Sequence, residues 1–236
     1  MMRKGIQKIF SEVAETYELV NHVLTFGLDI FWRKKAARLA ADTGGIRWLD
    51  VCSGTGEMAR NLSSCTGDNT DIFAVDFSFP MLAKARKKNK GENLLFIMAD
   101  VTNLPFPKEC FDLVTISFAT RNLNVNREIL LSHLKEICRI LKPGGRLINL
   151  ETSQPRSRII RTIFHLYIKI AVKPLGYLLS GSKAGYNYLS YTIPRFYAPE
   201  KFDKILLQSG FSRVHHQILL LGISAIHITE KKAPKP

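Results

Sequence analysis

The stretch Trp48-Leu49-Asp50-Val51-Cys52-Ser53-Gly54-Thr55-Gly56-Glu57-Met58-Ala59 decides the fold. An apolar run meets an acid, crosses two glycines and continues in residues that favour a helix. The pattern predicts a buried strand, a tight turn, and a helix whose first backbone N–H groups stand at the turn's mouth. Gly54 and Gly56 admit positive φ and let a ligand approach the main chain where a Cβ would clash. By itself a Gly-x-Gly turn is a weak signal. Its meaning depends on what the rest of the chain places around it.

Downstream the same order of elements repeats. Asp71–Asp76 reads as a second strand ending in an acid, and Pro80–Lys90 as a helix exposing Lys84, Arg86, Lys87, Lys88 and Lys90. Leu94–Ala99 is a third strand followed by Asp100, and Phe111–Ser117 a fourth. Asn126–Leu141 carries an apolar stripe at helical spacing, and Lys142-Pro143-Gly144-Gly145 stops it before a fifth strand, Arg146–Glu151. Continuous apolar strands alternating with helices predict a parallel sheet buried on both faces. Right-handed crossovers make it doubly wound, with Gly54, Asp76, Asp100 and Ser117 along one edge. Two more apolar segments, Arg213–Leu221 and Ile223–Thr229, follow a helix over Pro199–Ser209 and read as a closing antiparallel hairpin.

Before the first strand, Ile6, Ile9, Phe10 and Val13 recur at helical spacing, and a second helix is expected over Ile30–Ala40. Tyr17–Asn21 and Thr25–Asp29 between them read as a loop. The segment Arg158–Ser180 is apolar and basic. Its charges recur too often, and Pro174 arrives too soon, for a membrane-spanning helix. An interfacial helix, a cover over an apolar pocket and an ordinary packing helix all remain open.

The chain has 236 residues, 46% apolar and 23% charged, with a formal net charge of +14. The composition is that of a folded globular chain, and the charge favours an anionic partner. Cys52, Cys65, Cys110 and Cys138 show no C-x-x-C pairing, so neither a disulfide framework nor a zinc site is expected. No apolar run follows Met1-Met2-Arg3-Lys4, and no signal peptide is read. No RNA-binding motif is present, and no nucleic-acid partner is expected.

Asp76 lies about twenty residues beyond the glycine turn, the spacing that hydrogen-bonds a ribose diol. Either NAD or S-adenosylmethionine (SAM) presents such a diol. Asp100 could accept from an adenine amino group.

These residues carry a resemblance. Asp50–Gly56, Asp76, Leu104-Pro105-Phe106 with Phe111-Asp112, and Leu141–Gly145 resemble a class I SAM-dependent methyltransferase. The chain is more narrowly similar to the ubiquinone/menaquinone biosynthesis C-methyltransferase family. That match rests on Phe10–Tyr17, Asn21, Phe26-Gly27-Leu28, Trp32-Arg33, Phe118–Leu123, Leu150-Glu151, Tyr186–Leu189, and Gly222 with Ala225-Ile226-His227. It covers nearly the whole chain.

The resemblance implies an α/β, Rossmann-like, doubly wound fold, a mostly parallel seven-stranded sheet with a C-terminal antiparallel hairpin. It implies one domain over 1–236, with a helical lid over about 1–44 and an acceptor-side insertion over about 155–198. SAM is the implied cofactor. Asp76 would hold its ribose, Asp100 and Val101 would edge the adenine, and Ser117 would lie near the methionine part. Gly54, Thr55 and Gly56 would supply close backbone approach, and Asp50 would shape the turn. The acceptor would be a polyprenylated quinol, whose ring carbon becomes nucleophilic when a ring hydroxyl loses its proton. Arg121 and Asn122 would stabilise that phenolate, aided by Tyr17. Asn21, Tyr186 and Tyr188 would contact the acceptor.

No metal is implied, and no histidine stands out as a general base. The implied location is the cytoplasm, with transient contact at the inner face of the membrane; whether the chain forms a homodimer stays open. After Arg158 the agreement thins: an expected Tyr-Asp pair reads His165-Leu166, and an expected Ser-Ile-Arg reads Thr192-Ile193-Pro194. A methyltransferase of another apolar molecule (sterol, fatty acyl or phenolic), a basic nucleic-acid-binding protein and a dinucleotide oxidoreductase are the competing readings.

Overall fold

Helices α1 (Met2–Val13), α2 (Tyr17–Thr25) and α3 (Leu28–Ala41) precede the first strand, β1 (Arg47–Val51). The glycine turn leads into α4 (Glu57–Ser63), followed by β2 (Asp71–Asp76), α5 (Phe79–Lys88) and β3 (Leu94–Met98). Then come β4 (Phe111–Ser117), α6 (Thr120–Leu123), α7 (Arg127–Ile140) and β5 (Leu141–Thr152). An inserted layer contains α8 (Arg158–Tyr167), a π-helical turn (Ile168–Val172), α9 (Lys173–Ser180) and α10 (Lys183–Thr192). The chain closes with α11 (Pro199–Gln208), β6 (Phe211–Leu219) and β7 (Ser224–Lys231). The computed structural model describes residues 2–67, 69–89 and 93–233. Lys90 and the side chain of Ile6, both used in the sequence reading, lie outside what is described.

The strands form one seven-stranded sheet in the order β3-β2-β1-β4-β5-β7-β6. β1 to β5 run parallel, while β7 is antiparallel to both β5 and β6. The closing pair is the expected hairpin, with its second strand inserted beside β5. Strand order reverses between β1 and β4, so a crevice opens at their carboxyl ends. The glycine turn and Ser117 flank that crevice.

Period-2 alternation explains why both faces are buried. Leu49, Val51 and Val75 point into one core with α7 and α11, and Trp48, Ile72 and Ala74 into another with α3 and α4. A third cluster lies apart from these two. There Val13, Val20 and Met81 meet Phe164, Ile168 and Tyr186, joining the N-terminal helices to the inserted layer.

The structure revises the reading of residues 17–25, which form helix α2. Val20 is fully buried in the third cluster, with Tyr17 and Leu24 packed against it. Tertiary packing stabilises a segment too short to be helical alone. The corner into α3 is made by consecutive left-handed residues, Phe26 (φ 52°) and Gly27 (φ 75°). The fifth strand also begins earlier than expected, because Leu141 pairs with Phe111 before the register shifts around the Gly144-Gly145 loop. Asp112 holds that corner: its carboxylate accepts from Ile46 N and Arg47 N, each at 3.0 Å, and pairs with Lys142 at 2.6 Å.

Candidate active site

The turn after β1 bends through three left-handed residues: Cys52 (φ 55°), Gly54 (φ 56°) and Gly56 (φ 81°). Ser53 N donates to Val75 O at 2.9 Å, and Gly54 N to Asp76 Oδ2 at 2.9 Å. The other Asp76 oxygen accepts from Ser78 N at 2.8 Å. Asp76 therefore fixes the glycine turn against β2 and offers its remaining lone pairs outward. Gly54 meets nothing within 4 Å where a Cβ would stand, while a Cβ on Gly56 would press on Ala85 and Asn89 at 3.1 Å. Gly54 keeps space open for a ligand. Gly56 lets α4 pack on α5.

A cavity of about 410 Å³ lies over this edge. Gly54, Thr55, Asp76, Asp100, Val101 and Ser117 line it. Asp50 and Gly56 do not. Asp50 is fully buried under the turn, where Oδ1 accepts from Thr115 Oγ1 at 2.7 Å. It ties β1 to β4 and acts on the cavity only through the turn's shape.

Helices α1 and α2 roof the cavity with Gln7, Phe10 and Tyr17. The roof is latched to the β2–α5 region by Gln7 Nε2 to Phe77 O (2.9 Å), Ser11 to Ser78 (3.1 Å) and Lys84 to Ala14 O (3.0 Å). Lys88 pairs with Glu18, whose carboxylate also reaches the Thr55 hydroxyl.

A second cavity, about 470 Å³, lies beyond the first, among α2, α3, α8, the π turn and the loop before β7. Aliphatic and aromatic side chains dominate its wall, including Leu24, Trp32, Ile160, Phe164 and Ile193. Tyr17, Arg33 and Phe118 line both cavities and form their common wall. The Arg33 guanidinium sits 5.1 Å from the Phe118 ring centroid.

The ubiE/COQ5 methyltransferase family model matches residues 1–231. The chain belongs to that family. Among its relatives, the demethylmenaquinone methyltransferase of Thermus thermophilus is 37% identical over 225 residues, covering 94% of this chain and 100% of the relative. The ubiquinone/menaquinone biosynthesis C-methyltransferase UbiE of Geobacter sulfurreducens is 36% identical, covering 96% of this chain and 88% of the relative. A solved SAM-dependent methyltransferase of Thermotoga maritima superposes with a TM-score of 0.63 at 19% identity, covering 95% and 99% of the two chains. A SAM-dependent methyltransferase of Aquifex aeolicus does so with a TM-score of 0.56 at 18% identity, covering 83% and 88%. These neighbours share the class I methyltransferase fold. As a ubiE/COQ5 family member, the chain is a SAM-dependent C-methyltransferase.

The first cavity fits the donor of such an enzyme. Ser53 Oγ and Asn122 Oδ1 line it and are buried with no hydrogen-bond partner among the described residues. Orphaned acceptors and hydroxyls of this kind await a polar ligand. Asp76 and Asp100 stand at adjacent strand ends, the arrangement that holds a ribose diol and an adenine edge. Asp100 is itself steadied by Thr102, whose N and Oγ1 donate to Oδ1 at 2.9 and 2.8 Å.

The second cavity redistributes the acceptor-side residues. Arg121 faces it, but Glu151 binds the guanidinium at 2.7 Å and accepts from Arg121 N at 3.0 Å. Nη1 also donates to Phe118 O at 2.9 Å, so the arginine closes the loop after β4 as well as facing the second cavity. Asn21 lines the second cavity beside the Tyr17 hydroxyl.

Three residues expected on the acceptor side do not line the second cavity. Asn122 lines only the first cavity, because the short α6 turns it toward the strand ends. Tyr186 is buried and lines neither cavity: its ring lies on Gly176, where a Cβ would stand 2.1 Å from Cγ. Tyr188 lines neither cavity, though its phenol feels the charges of Arg121 and Glu151.

Arg33 is the residue that sequence reasoning quoted without a role. It is buried, pairs with Asp29 at 2.6 Å and with Glu57 at 3.3 Å, and Asp29 also accepts from His22 at 2.9 Å and Thr25 at 2.7 Å. The available signal was an arginine one turn after an acid, on a helix face of alanines and Trp32.

Burial pushes the Tyr17 phenol up in pKa, partly opposed by Arg121 and then Arg33, and the net shift is upward. Tyr17 therefore stays a hydrogen-bond donor at neutral pH. Burial raises Asp50 to about 7, and also raises Asp76 against the pull of Ser78 and Gly54 N–H groups. Burial would discharge Arg121, but Glu151 and then Tyr17 more than offset it, and its pKa rises. Three histidines make structural contacts. His165 bonds Gln154 at 2.7 Å and His216 bonds Asp203 at 2.6 Å, while burial pushes His227 down to about 4.

Proposed function

We propose that the methyl acceptor is a polyprenylated quinol of the demethylmenaquinol class. One observation carries this reading: an apolar cavity of about 470 Å³ shares the wall Tyr17–Arg33–Phe118 with the donor cavity. An aromatic ring seated at that wall would face the methyl donor, with the apolar remainder of the cavity left for the first part of a prenyl chain. The names of the relatives support the same class.

SAM, when bound, supplies a sulfonium methyl that is already electrophilic, so the chain's residues need only align and charge-stabilise the acceptor. Asp76 and Asp100 would hold the ribose and adenine, and Ser53, Thr55 and Asn122 would contact polar atoms nearer the methionine part. Tyr17 stays protonated and would donate a hydrogen bond to the ring oxygen. Arg33 and Arg121 would stabilise the negative charge that develops there on deprotonation. Asp29, Glu57 and Glu151 keep both guanidiniums fixed, so little reorganisation accompanies the charge build-up.

We place the chain in the cytoplasm, working at the inner face of the membrane. Among the described residues, no helix is long and apolar enough to cross a membrane.

Methyl-labelled SAM, offered together with short-chain demethylmenaquinol, a benzoquinol precursor, a sterol and an unsaturated fatty acyl lipid, tests the assignment. Label should enter the naphthoquinol ring. Label in the sterol or acyl lipid, with none in either quinol, would overturn it.

A further inference from the structure

The segment from α8 to α9 is apolar on two opposite sides. Phe164, Ile168 and Val172 face inward and are buried. Ile159, Ile163, Leu166 and Ile170 recur on the opposite side, each more than half exposed. The π turn adds a residue, which rotates the following helix by ~100° and brings Leu178, also mostly exposed, onto the same outer stripe. One apolar face suffices to pack a helix on a protein. Among the described residues, the second has no partner.

The outer stripe leads to the mouth of the acceptor cavity. Phe26, Ile163 and Leu221 line that cavity and are 81%, 63% and 68% exposed. Leu220 and Leu221 adopt left-handed backbone (φ 39° and 57°), a conformation that turns two leucines outward at the rim.

Charge identifies what this face meets. No acidic residue occurs between Glu151 and Glu200, while Arg156, Arg158, Arg161, Lys169, Lys173, Lys183 and Arg195 do. Arg158, Lys169 and Lys173 are exposed along one flank of the apolar stripe. An apolar stripe bordered by lysine and arginine suits an anionic bilayer surface.

We propose that the outer face of α8–α9, with Phe26 and Leu221, docks on an anionic lipid leaflet and sets the acceptor cavity's mouth against the acyl chains. The partner is the bilayer surface itself. This deepens the quinol reading and rests on it for the purpose of docking: a prenyl tail passes from leaflet to cavity without crossing water. The basic flank draws the face to anionic headgroups, and the leucine, isoleucine and phenylalanine side chains enter the acyl boundary.

The test uses the full chain and the variant Ile159→Gln/Leu166→Gln/Ile170→Gln/Leu178→Gln, whose positions lie outside both cavities. Co-sedimentation with vesicles of 7:3 phosphatidylcholine and phosphatidylglycerol should fall at least ~10-fold in the variant, each residue losing apolar transfer. A second variant, Arg158→Gln/Lys169→Gln/Lys173→Gln, should lose the salt-dependent part of binding and the preference over pure phosphatidylcholine.

Turnover of a long-chain demethylmenaquinol embedded in those vesicles should fall with binding, while turnover of a water-soluble short-chain analogue stays unchanged. Vesicle binding by the unaltered chain, with neither quinol methylated, would support the docking face and overturn the acceptor assignment. Undiminished vesicle binding by the first variant, or equal loss on both acceptors, would overturn the docking face. A concentration-dependent dimer lost in that variant, with no vesicle binding by either chain, would overturn it in favour of a face between two copies.

Discussion

The proposed donor and acceptor cavities adjoin, yet they are built by different means. Strand ends build the first: the glycine turn, Asp76, Asp100 and Ser117 occupy neighbouring positions because β1, β2, β3 and β4 end on one edge of a parallel sheet. Helix faces build most of the second, with side chains from α2, α3, α8 and the π turn brought together by tertiary packing. A site at strand ends inherits its geometry from hydrogen-bond register. A site between helices must be assembled from apolar contacts and a few buried ion pairs, so it varies more easily in sequence.

That difference can be tested by breaking the fixed points of each half. The largest effect is expected from Glu151→Ala, which leaves Arg121 buried without its carboxylate. Breaking such a pair costs about 3–5 kcal/mol, and calorimetry should show a melting point lower by roughly 6–20 °C for a chain of this size. A shift under a degree would mean that the acceptor side does not rest on this pair.

Asp50 probes the donor side. Its carboxyl is raised from 3.8 to about 7, so the native state holds a proton that the unfolded chain releases near pH 4. This contribution to stability is fully present below pH ~4 and is lost as pH rises through about 7, a difference of at most ~4 kcal/mol. Asp50→Asn keeps an acceptor for Thr115 and removes the titration. Its denaturation midpoint should therefore gain on that of the unaltered chain between pH 5 and 8. Parallel curves would refute the assignment.

Asp76→Ala removes the acceptor of two backbone N–H groups and the proposed ribose ligand together. Loss of about 3 kcal/mol corresponds to a SAM affinity roughly 100-fold weaker by titration calorimetry; the Kd for a short-chain quinol should move far less.

Tyr17→Phe is the smallest and most discriminating change, since Tyr17 belongs to both cavities. About a tenfold loss in kcat is expected, with SAM affinity within twofold, because only a hydrogen bond to developing charge is removed. Equal losses in SAM binding and kcat would mean that Tyr17 serves as a roof and nothing more.

The two halves also differ in how far the sequence reveals them. Asp76, Asp100 and Ser117 could be placed because each terminates a continuous apolar run, and parallel pairing puts such ends side by side. Asp50 and Gly56 stand in the same motif but outside the cavity. Residue type suggested contact, while alternation along β1 turned Asp50 beneath the turn toward Thr115. Residues 17–25 contain few strong helix signals, and their helix exists because Val20 and Leu24 find Phe164 and its neighbours more than a hundred residues later.

Tyr186 illustrates the remaining gap. Tyr186 and Tyr188 look alike in the sequence, and only Gly176, ten residues upstream, decides which ring is buried. Arg33 was legible as a charge and not as a shared wall, since that role requires Tyr17 and Phe118 from other elements.

The latch between the roof helices and the β2–α5 region carries a kinetic consequence. Gln7, Ser11, Lys84 and Glu18 make polar contacts, several of them solvent-exposed, each worth little against water and weakened by salt where charged. The α1 contacts through Gln7 and Ser11 can therefore yield at little cost, whereas α2 stays anchored to the inserted layer through Val20 and Leu24. A molecule settled on a leaflet could complete many catalytic cycles per visit, with its residence time and its turnover number set by unrelated parts of the chain.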